Sequence, residues 1–486
     1  RESKATQQMR CYANVLLMNI PLSDGAQSKL KSDVRPTSPV AAHPTHIAAE
    51  HSPPTFAAPI NKYSNQPLMI KPLLPLLCAL IGLSTATAHS APDNDSVAIY
   101  NTYSSPTLGN ERMDTLLPLL RGQRVALAVN HTSVVGAGRT HLLDTLLALG
   151  VDVRKVFTPE HGFRGADDAG ARVADSRHPG RDIPIVSLFG RSFKPTAAQM
   201  SDVDVVVFDI QDVGARFYTY ISTMHYLMEA CAAHRCTFIV LDRPNPNDYV
   251  DGPVRRARYK SFIGMHPIPI LHGLTIGELA RMIDGEGWLP GGARCPLTVV
   301  PMIGWQHGDT FSLPVKPSPN LPNHQSVRLY PSLCFFEGTC MSVGRGTHFP
   351  FQVVGYPSPS VGRFTFTPAP IRGMDSSPLY RGRLCYGDDL REPSYEGGLT
   401  LRFLLDFYAR TGRDPKRFFS HTAMFDLIAG TDELRRQIIA GFSETRIRAT
   451  WQPDLDRYRL MRRKYLLYPD PADVRCSTGV EVQAMR

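Results

Sequence analysis

From Met113 to Leu241 the chain alternates short apolar runs with longer segments in which apolar residues recur every three or four positions. Arg124 to Val129, Val151 to Phe157, Ile183 to Leu188, Asp204 to Ile210 and Cys236 to Leu241 read as buried strands. Met113 to Leu120, Thr140 to Leu149, Ala197 to Met200 and Phe217 to His234 read as the helices between them. Near-continuous apolar strands alternating with amphipathic helices predict α/β architecture: a Rossmann-like, mostly parallel sheet with helices on both faces, over residues 89–260. No Gly-x-Gly-x-x-Gly follows the first strand, so no dinucleotide, and no other cofactor, is expected.

Past residue 260 the pattern changes. Helices are expected from Thr275 to Ile283, Thr400 to Tyr408 and Asp432 to Gly441, and a strand from Leu297 to Met302. Pro267-Ile268-Pro269 reads as a short strand between His266 and His272, Val315 to Pro322 as a proline-rich loop, and the Trp-, Tyr- and Arg-rich tail from Trp451 to Tyr468 as a docking helix. Residues 261–486 are therefore expected to form a second, α+β domain.

The beginning of the chain is different. Residues 1–68 are rich in Ser, Pro, Ala and His and lack periodicity, and they read as a disordered or mistranslated upstream segment. Lys71, the apolar stretch from Pro72 to Leu83, and Ala86-Thr87-Ala88 have the layout of a secretory signal over residues 69–88. The stretch is too short for an ordinary membrane-spanning helix. Export to the periplasm is expected, with no integral membrane span once the signal is cleaved.

Composition narrows the choices. Of the 486 residues 43% are hydrophobic and 20% charged, ordinary for a folded enzyme. The formal charge is +9, and a chain starting at His89 keeps about +5 of it. No basic block or nucleic-acid-binding module accompanies that charge, so no nucleic-acid partner is expected. Cys231, Cys236, Cys295, Cys334, Cys340, Cys385 and Cys476 follow the signal without metal-ligand spacing, and they are expected to be mostly small buried hydrophobes.

Candidate chemistry gathers where strands end. Phe157-Thr158-Pro159-Glu160-His161-Gly162-Phe163-Arg164-Gly165 places a carboxylate, an imidazole and a guanidinium within five residues. Val205 to Arg216 repeats the arrangement, an apolar strand ending in Asp209, Gln211, Asp212, Gly214 and Arg216. Two polar strand ends suggest one active site at the edge of the sheet.

These stretches resemble the exo-β-N-acetylmuramidase family of bacterial cell-wall recycling, long known as a domain of unknown function. The resemblance rests on Asn130-His131-Thr132, Pro159 to Gly165, Phe208 to Tyr220 and Leu241-Asp242-Arg243-Pro244-Asn245-Pro246. It continues through His272 to Glu278, Pro317-Ser318-Pro319-Asn320, Phe336-Glu337-Gly338-Thr339 and Trp451-Gln452-Pro453, spanning roughly residues 108–470. One departure follows Asn247: Asp248-Tyr249-Val250-Asp251-Gly252 comes directly where members often carry further residues, which would shorten a rim loop. The resemblance implies a Rossmann-like domain, a second domain completing the cleft that holds the site, and release of N-acetylmuramic acid from the non-reducing ends of peptidoglycan fragments, the expected partners.

It also implies that Glu160 is catalytic. Glycoside hydrolysis needs a proton for the leaving oxygen and a means of stabilising or capturing a cationic sugar. Glu160 is the expected general acid. Asp209, Asp212 and Glu337 compete for the second carboxylate, which leaves retention or inversion open. The lactyl carboxylate of N-acetylmuramic acid calls for guanidinium donors, with Arg164, Arg216, Arg243 and Arg345 as candidates. His131 and His161 are candidates to bind sugar hydroxyls or hold Glu160, with His266 and His272 behind them. Tyr218 offers a stacking face with Tyr220, and Asn320 a partner for an acetamido group.

Two other readings compete. A metal-dependent hydrolase would use His131, Asp209, Asp212 and His272, although no His-Glu-x-x-His or compact Asp/His cluster appears and a serine esterase lacks its Gly-x-Ser-x-Gly. A periplasmic muropeptide- or sugar-binding protein would need the arginines but not Glu160.

Overall fold

A computed structural model describes residues 105–392 and 395–471; the expected upstream segment and export signal, with Cys476, lie outside the described residues. Strands β1 (Val125–Val129), β2 (Val153–Thr158), β3 (Ser176–Arg177), β4 (Pro184–Ser187), β5 (Val205–Asp209), β6 (Thr237–Leu241) and β7 (Leu297–Val300) form one sheet in the order β7-β6-β5-β1-β2-β4-β3. Every pair is parallel except β3 with β4. From β1 the chain builds outward through β2 and β4, then crosses back to β5 on the other side of β1. This is the doubly wound order, and its reversal falls beside β1. The last strand, β7, comes from beyond residue 260.

The strands read as continuous apolar runs because both faces are covered. Ala126, Ala128, Val206, Phe208, Phe238 and Val240 point into a core shared with helices α4 (Tyr220–His234) and α5 (Ile276–Gly285). Their neighbours Val125, Leu127, Val129, Val205, Val207, Ile239 and Leu241 point the other way, onto α1 (Met113–Leu120) and α2 (Leu142–Ala148). A short α3 (Ala197–Met200) leads into β5, with Thr196 capping its first turn.

Most expected and observed elements agree in kind and end within three residues of each other; the tail helix expected from Trp451 to Tyr468 instead runs Glu444–Arg462, and three other differences stand out. Pro267-Ile268-Pro269 is no strand: neither proline can donate to a ladder, and the Ile268 carbonyl instead accepts from Arg216 Nη1 at 2.9 Å. The two-residue ladder nearby joins Val250–Asp251 to Leu271–His272. Helix α6 (His324–Leu333), capped by Asn323, was masked in the sequence by its internal Pro331. A three-stranded antiparallel sheet of β8 (Val353–Tyr356), β9 (Phe364–Phe366) and β10 (Cys385–Asp389), ordered β8-β10-β9, also escaped the periodicity reading.

Helices α7 (Arg402–Arg410), α8 (Pro415–Phe418), α9 (Thr422–Ala429), α10 (Glu433–Ile439) and α11 (Glu444–Arg462) complete the second, α+β part. The expected docking helix is α11, with Ile447, Trp451, Leu455, Tyr458 and Arg462 as its buried stripe. It is pinned to the first part by Tyr458 Oη on the His272 carbonyl at 2.7 Å and Arg462 Nε on the Gly273 carbonyl at 2.6 Å. Cys231, Cys236, Cys295, Cys334, Cys340 and Cys385 are all free and buried.

Two buried histidines give the fold a pH dependence. His225 Nδ1 and His266 Nε2 lie 3.1 Å apart, and Trp288 stacks on His266. Burial, with Lys260 and Lys194 nearby, pushes His225 down to about 3; burial, with His225, Arg255 and Lys260, takes His266 well below its ordinary value. Both rings are neutral in the fold, whereas an unfolded chain protonates them near about pH 6.5. Below that pH the unfolded state binds protons that the folded state refuses, so this contribution to stability is lost as pH falls from about 6.5 toward 3. His225→Gln and His266→Gln should each flatten the drop in thermal midpoint between about pH 7 and about pH 4.5. An unchanged slope in both would assign that drop to other groups.

Candidate active site

Strand β2 ends at Thr158, and Pro159 turns the chain so that Glu160 and His161 face the carboxyl edge of the sheet. His161 sits at φ 70°, followed by Gly162 at φ 72° and Gly165 at φ 61°. A side chain at Gly165 would overlap His131, its Cβ falling 2.0 Å from the ring nitrogen Nδ1, so only glycine lets the loop pack there. His161 holds the unfavourable left-handed conformation with its ring in place, Nδ1–H donating to the Asp167 carbonyl at 2.7 Å.

Glu160 is 3% exposed. Its Oε1 accepts from the Gly170 N–H at 2.9 Å and its Oε2 from the Thr219 hydroxyl at 2.8 Å. Thr219 belongs to the turn after β5. Loops from β2 and β5 thus flank β1, at the point where strand order reverses, which is where open α/β sheets bind ligands.

A cavity of about 40 Å³ opens beside the carboxylate. Glu160, His161 and Ala169 line it from the β2 loop, Phe217 to Tyr220 from the β5 loop, and Ser318, Asn320 and Leu321 from the proline-rich loop; Tyr330, Arg345 and Phe351 come from the second part. The proline-rich loop is fastened at three points: His131 Nε2–H donates to the Lys316 carbonyl at 2.8 Å, and the Tyr218 and Tyr220 hydroxyls donate to the Pro317 carbonyl at 3.0 and 3.2 Å. Burial holds both phenols neutral, raising them above the ordinary tyrosine range. It also keeps the His131 ring neutral, pushed down to about 4.

At the rim, the β2 loop meets the loop around Gly373. Asp168 accepts from the Gly373 N–H at 2.7 Å and the Ser376 N–H at 2.9 Å, and Asn320 Nδ2 donates to the Met374 carbonyl at 2.9 Å. The cavity of about 40 Å³ is the size of a few waters.

Of the residues singled out from sequence, Glu160, His161, Tyr218, Tyr220, Asn320 and Arg345 line this cavity. Glu337 stands just behind it, accepting from Arg345 Nε at 2.5 Å, and the Arg345 guanidinium lies 5.1 Å over the Phe351 ring. Asp375, close to this pair, is raised by its burial and drawn back by Arg345. His131 acts on the cavity wall through Lys316, and Arg164 is exposed and does not line the cavity.

The others are placed elsewhere. Asp209, fully buried, accepts from Arg243 Nε at 2.6 Å and from Asn110 Nδ2 at 3.1 Å, so this acid and this arginine neutralise each other. Arg216 is also fully buried, donating to the carbonyls of Pro253, Ile268 and Ile428 at 2.8–2.9 Å; it ties three segments together instead of facing a ligand. Asp212 closes its own turn on the Gly214 N–H at 2.7 Å, with His272 Nε2 at 3.8 Å. His266 belongs to the buried histidine pair. Among the described residues no three His, Cys, Asp or Glu side chains gather as a metal-binding set.

Sequence reasoning passed over Thr219. A threonine just ahead of a helix ordinarily reads as a cap, yet its side chain makes no cap to α4 and bonds Glu160 instead. Phe217, Ser318, Tyr330 and Phe351 were equally silent as lining residues, because nothing in a linear pattern says which aromatic ring faces a cavity.

Comparison with known proteins gives concordant results. Residues 125–325 match the family model "Exo-beta-N-acetylmuramidase NamZ, N-terminal" and residues 328–468 its C-terminal counterpart. The chain is 34% identical over 429 residues to the peptidoglycan β-N-acetylmuramidase NamZ of Bacillus subtilis, covering 82% of this chain and all of that protein. Two crystal structures of DUF1343 family proteins from Bacteroides fragilis share the fold. One superposes with a TM-score of 0.69 at 42% identity, over 76% of this chain and 100% of its own. The other has a TM-score of 0.64 at 30% identity, over 75% and 99%.

Proposed function

Since this chain belongs to the exo-β-N-acetylmuramidase family and is a glycosidase of peptidoglycan, we propose that it releases N-acetylmuramic acid from the non-reducing ends of peptidoglycan fragments, with Glu160 as the proton donor. The observation that carries this reading is a carboxylate 3% exposed at the switch point of the sheet, in a cavity that also presents a guanidinium. Removal from water makes proton transfer from Glu160 to a bound glycosidic oxygen worth more than at the surface. Arg345 supplies the positive charge that a lactyl carboxylate seeks, and Glu337 and the Phe351 face hold it in position. His161, fixed by its bond to Asp167, presents the rest of its ring to the cavity for sugar hydroxyls, and Asn320 takes the acetamido group. The signal-like segment at 69–88 supports an exported, periplasmic enzyme.

A chromogenic β-N-acetylmuraminide and the matching β-N-acetylglucosaminide, each with and without chelator, test the proposal. Release is expected overwhelmingly from the muraminide, with only residual turnover of the glucosaminide, and unaffected by chelator. Equal release from both sugars would overturn the assignment of N-acetylmuramic acid, and loss to chelator would favour a metal-dependent hydrolase. Arg345→Met should lower kcat/KM on the muraminide by about tenfold to a hundredfold, chiefly through KM, because one charge-assisted contact is lost. Residual turnover of the glucosaminide, which has no carboxylate to lose, should stay level or rise. An equal fall on both sugars would place Arg345 in the scaffold.

A further inference from the structure

Among the hydrogen bonds of Glu160, two are of different kinds. The partner of Oε1 is the backbone N–H of Gly170, at 2.9 Å. An amide can only donate, so Oε1 is held as an acceptor in every state of the carboxyl. The partner of Oε2 is the Thr219 hydroxyl, at 2.8 Å. A hydroxyl donates or accepts by turning about its C–O bond. Thr219 itself is 6% exposed, stands at the cavity wall, and leaves the start of α4 without a side-chain cap in order to reach Glu160.

Resting on the reading of Glu160 as proton donor, we infer that the transferable proton resides on Oε2 and that Thr219 is the positioning residue that serves both states of the carboxyl. While Glu160 is protonated and no glycan is bound, the Thr219 oxygen accepts from Oε2–H; when a glycosidic oxygen arrives, that O–H turns to it and the Thr219 hydroxyl turns to donate to Oε2. As the glycosidic bond breaks, Oε2 gives its proton to the leaving oxygen, which keeps the electron pair of the broken C–O bond and departs as a hydroxyl. The carboxylate left behind keeps the Thr219 O–H. Water supplies the oxygen captured by the sugar carbon, and its released proton restores the carboxyl. His161, Tyr218, Tyr220 and Arg345 face the same cavity. Both phenols donate their protons to the Pro317 carbonyl.

The leaving group provides the test. A sugar hydroxyl leaves only with a proton, whereas 4-nitrophenolate leaves readily without one. A role exercised through the proton of Glu160 must therefore show on a disaccharide of N-acetylmuramic acid linked β to N-acetylglucosamine, and largely vanish on 4-nitrophenyl β-N-acetylmuraminide. Thr219→Val, and Thr219→Ala in case the valine variant does not fold, should lose about tenfold to a hundredfold in kcat/KM on the disaccharide, a share of what general acid catalysis contributes. On the nitrophenyl glycoside they should lose at most about threefold, and Thr219→Ser should recover the disaccharide rate. Equal losses on both substrates, no loss on either, or failure of Thr219→Ser to recover would each overturn the inference. Glu160→Gln, measured alongside, separates the two levels. If it spares the disaccharide, the reading of Glu160 itself fails; if it selectively abolishes disaccharide cleavage while the Thr219 variants do not discriminate, only the role of Thr219 falls.

Discussion

Glu160→Gln should abolish most disaccharide cleavage while leaving the protein folded. General acid catalysis typically contributes about 10²–10⁴-fold, and that range is the expected fall in kcat/KM. The substitution is well matched to this site. The glutamine oxygen still accepts from the Gly170 N–H, and its amide donates to the Thr219 oxygen, so these two bonds survive. Only the transferable proton is gone. The thermal midpoint should therefore stay close to wild type, and the variant should still bind the released sugar. A protein that binds muropeptides without cleaving them would tolerate the change with no functional loss, so one variant separates the enzyme from the binding protein. Activity within a few-fold of wild type on the disaccharide would remove Glu160 from the chemistry.

The parallel sheet was legible because β1, β5 and β6 are buried on both faces and so appear as near-continuous apolar runs between amphipathic helices. Their order across the sheet was not, since crossover direction leaves no trace in local pattern. The antiparallel sheet β8-β10-β9 was hidden for a different reason. Its strands are three to five residues long, contain Gly355 and Gly387, and lie in a proline- and glycine-rich stretch that resembles loop. Helix α6 was disguised by Pro331, which usually breaks a helix.

The site shows the same division. Glu160 and His161 were readable because polar residues crowd the end of an apolar strand. Asp209, Arg216 and Arg243 give the same signal, yet their charges are spent inside the protein, on each other or on backbone carbonyls. Polarity at a strand end marks the edge of the sheet where function sits, but only partners in space divide ligand contacts from scaffold. Thr219 makes the converse point, since its ordinary place ahead of a helix concealed its partner.

That scaffold carries the largest expected effect on stability. Asp209 is completely buried, Arg243 is 4% exposed, and their contact is 2.6 Å, with Asn110 completing the carboxylate. Arg243→Met keeps much of the volume but strands the Asp209 charge without its cation in a low-dielectric setting. Breaking such a pair from one side typically costs about 3–5 kcal/mol, which should appear as a clear fall in thermal midpoint and a greater sensitivity to urea. Replacing both partners removes the stranded charge, so Asp209→Leu combined with Arg243→Met should lose less than Arg243→Met alone, a non-additivity that a double-mutant cycle reads directly. The same variants test the chemistry. If the pair is scaffold, the folded fraction of Arg243→Met should keep its KM for the muraminide and most of its kcat below its own melting range. A protein with unchanged thermal midpoint and collapsed kcat would instead put Asp209 back among the reacting groups, as the second carboxylate that glycoside hydrolysis requires.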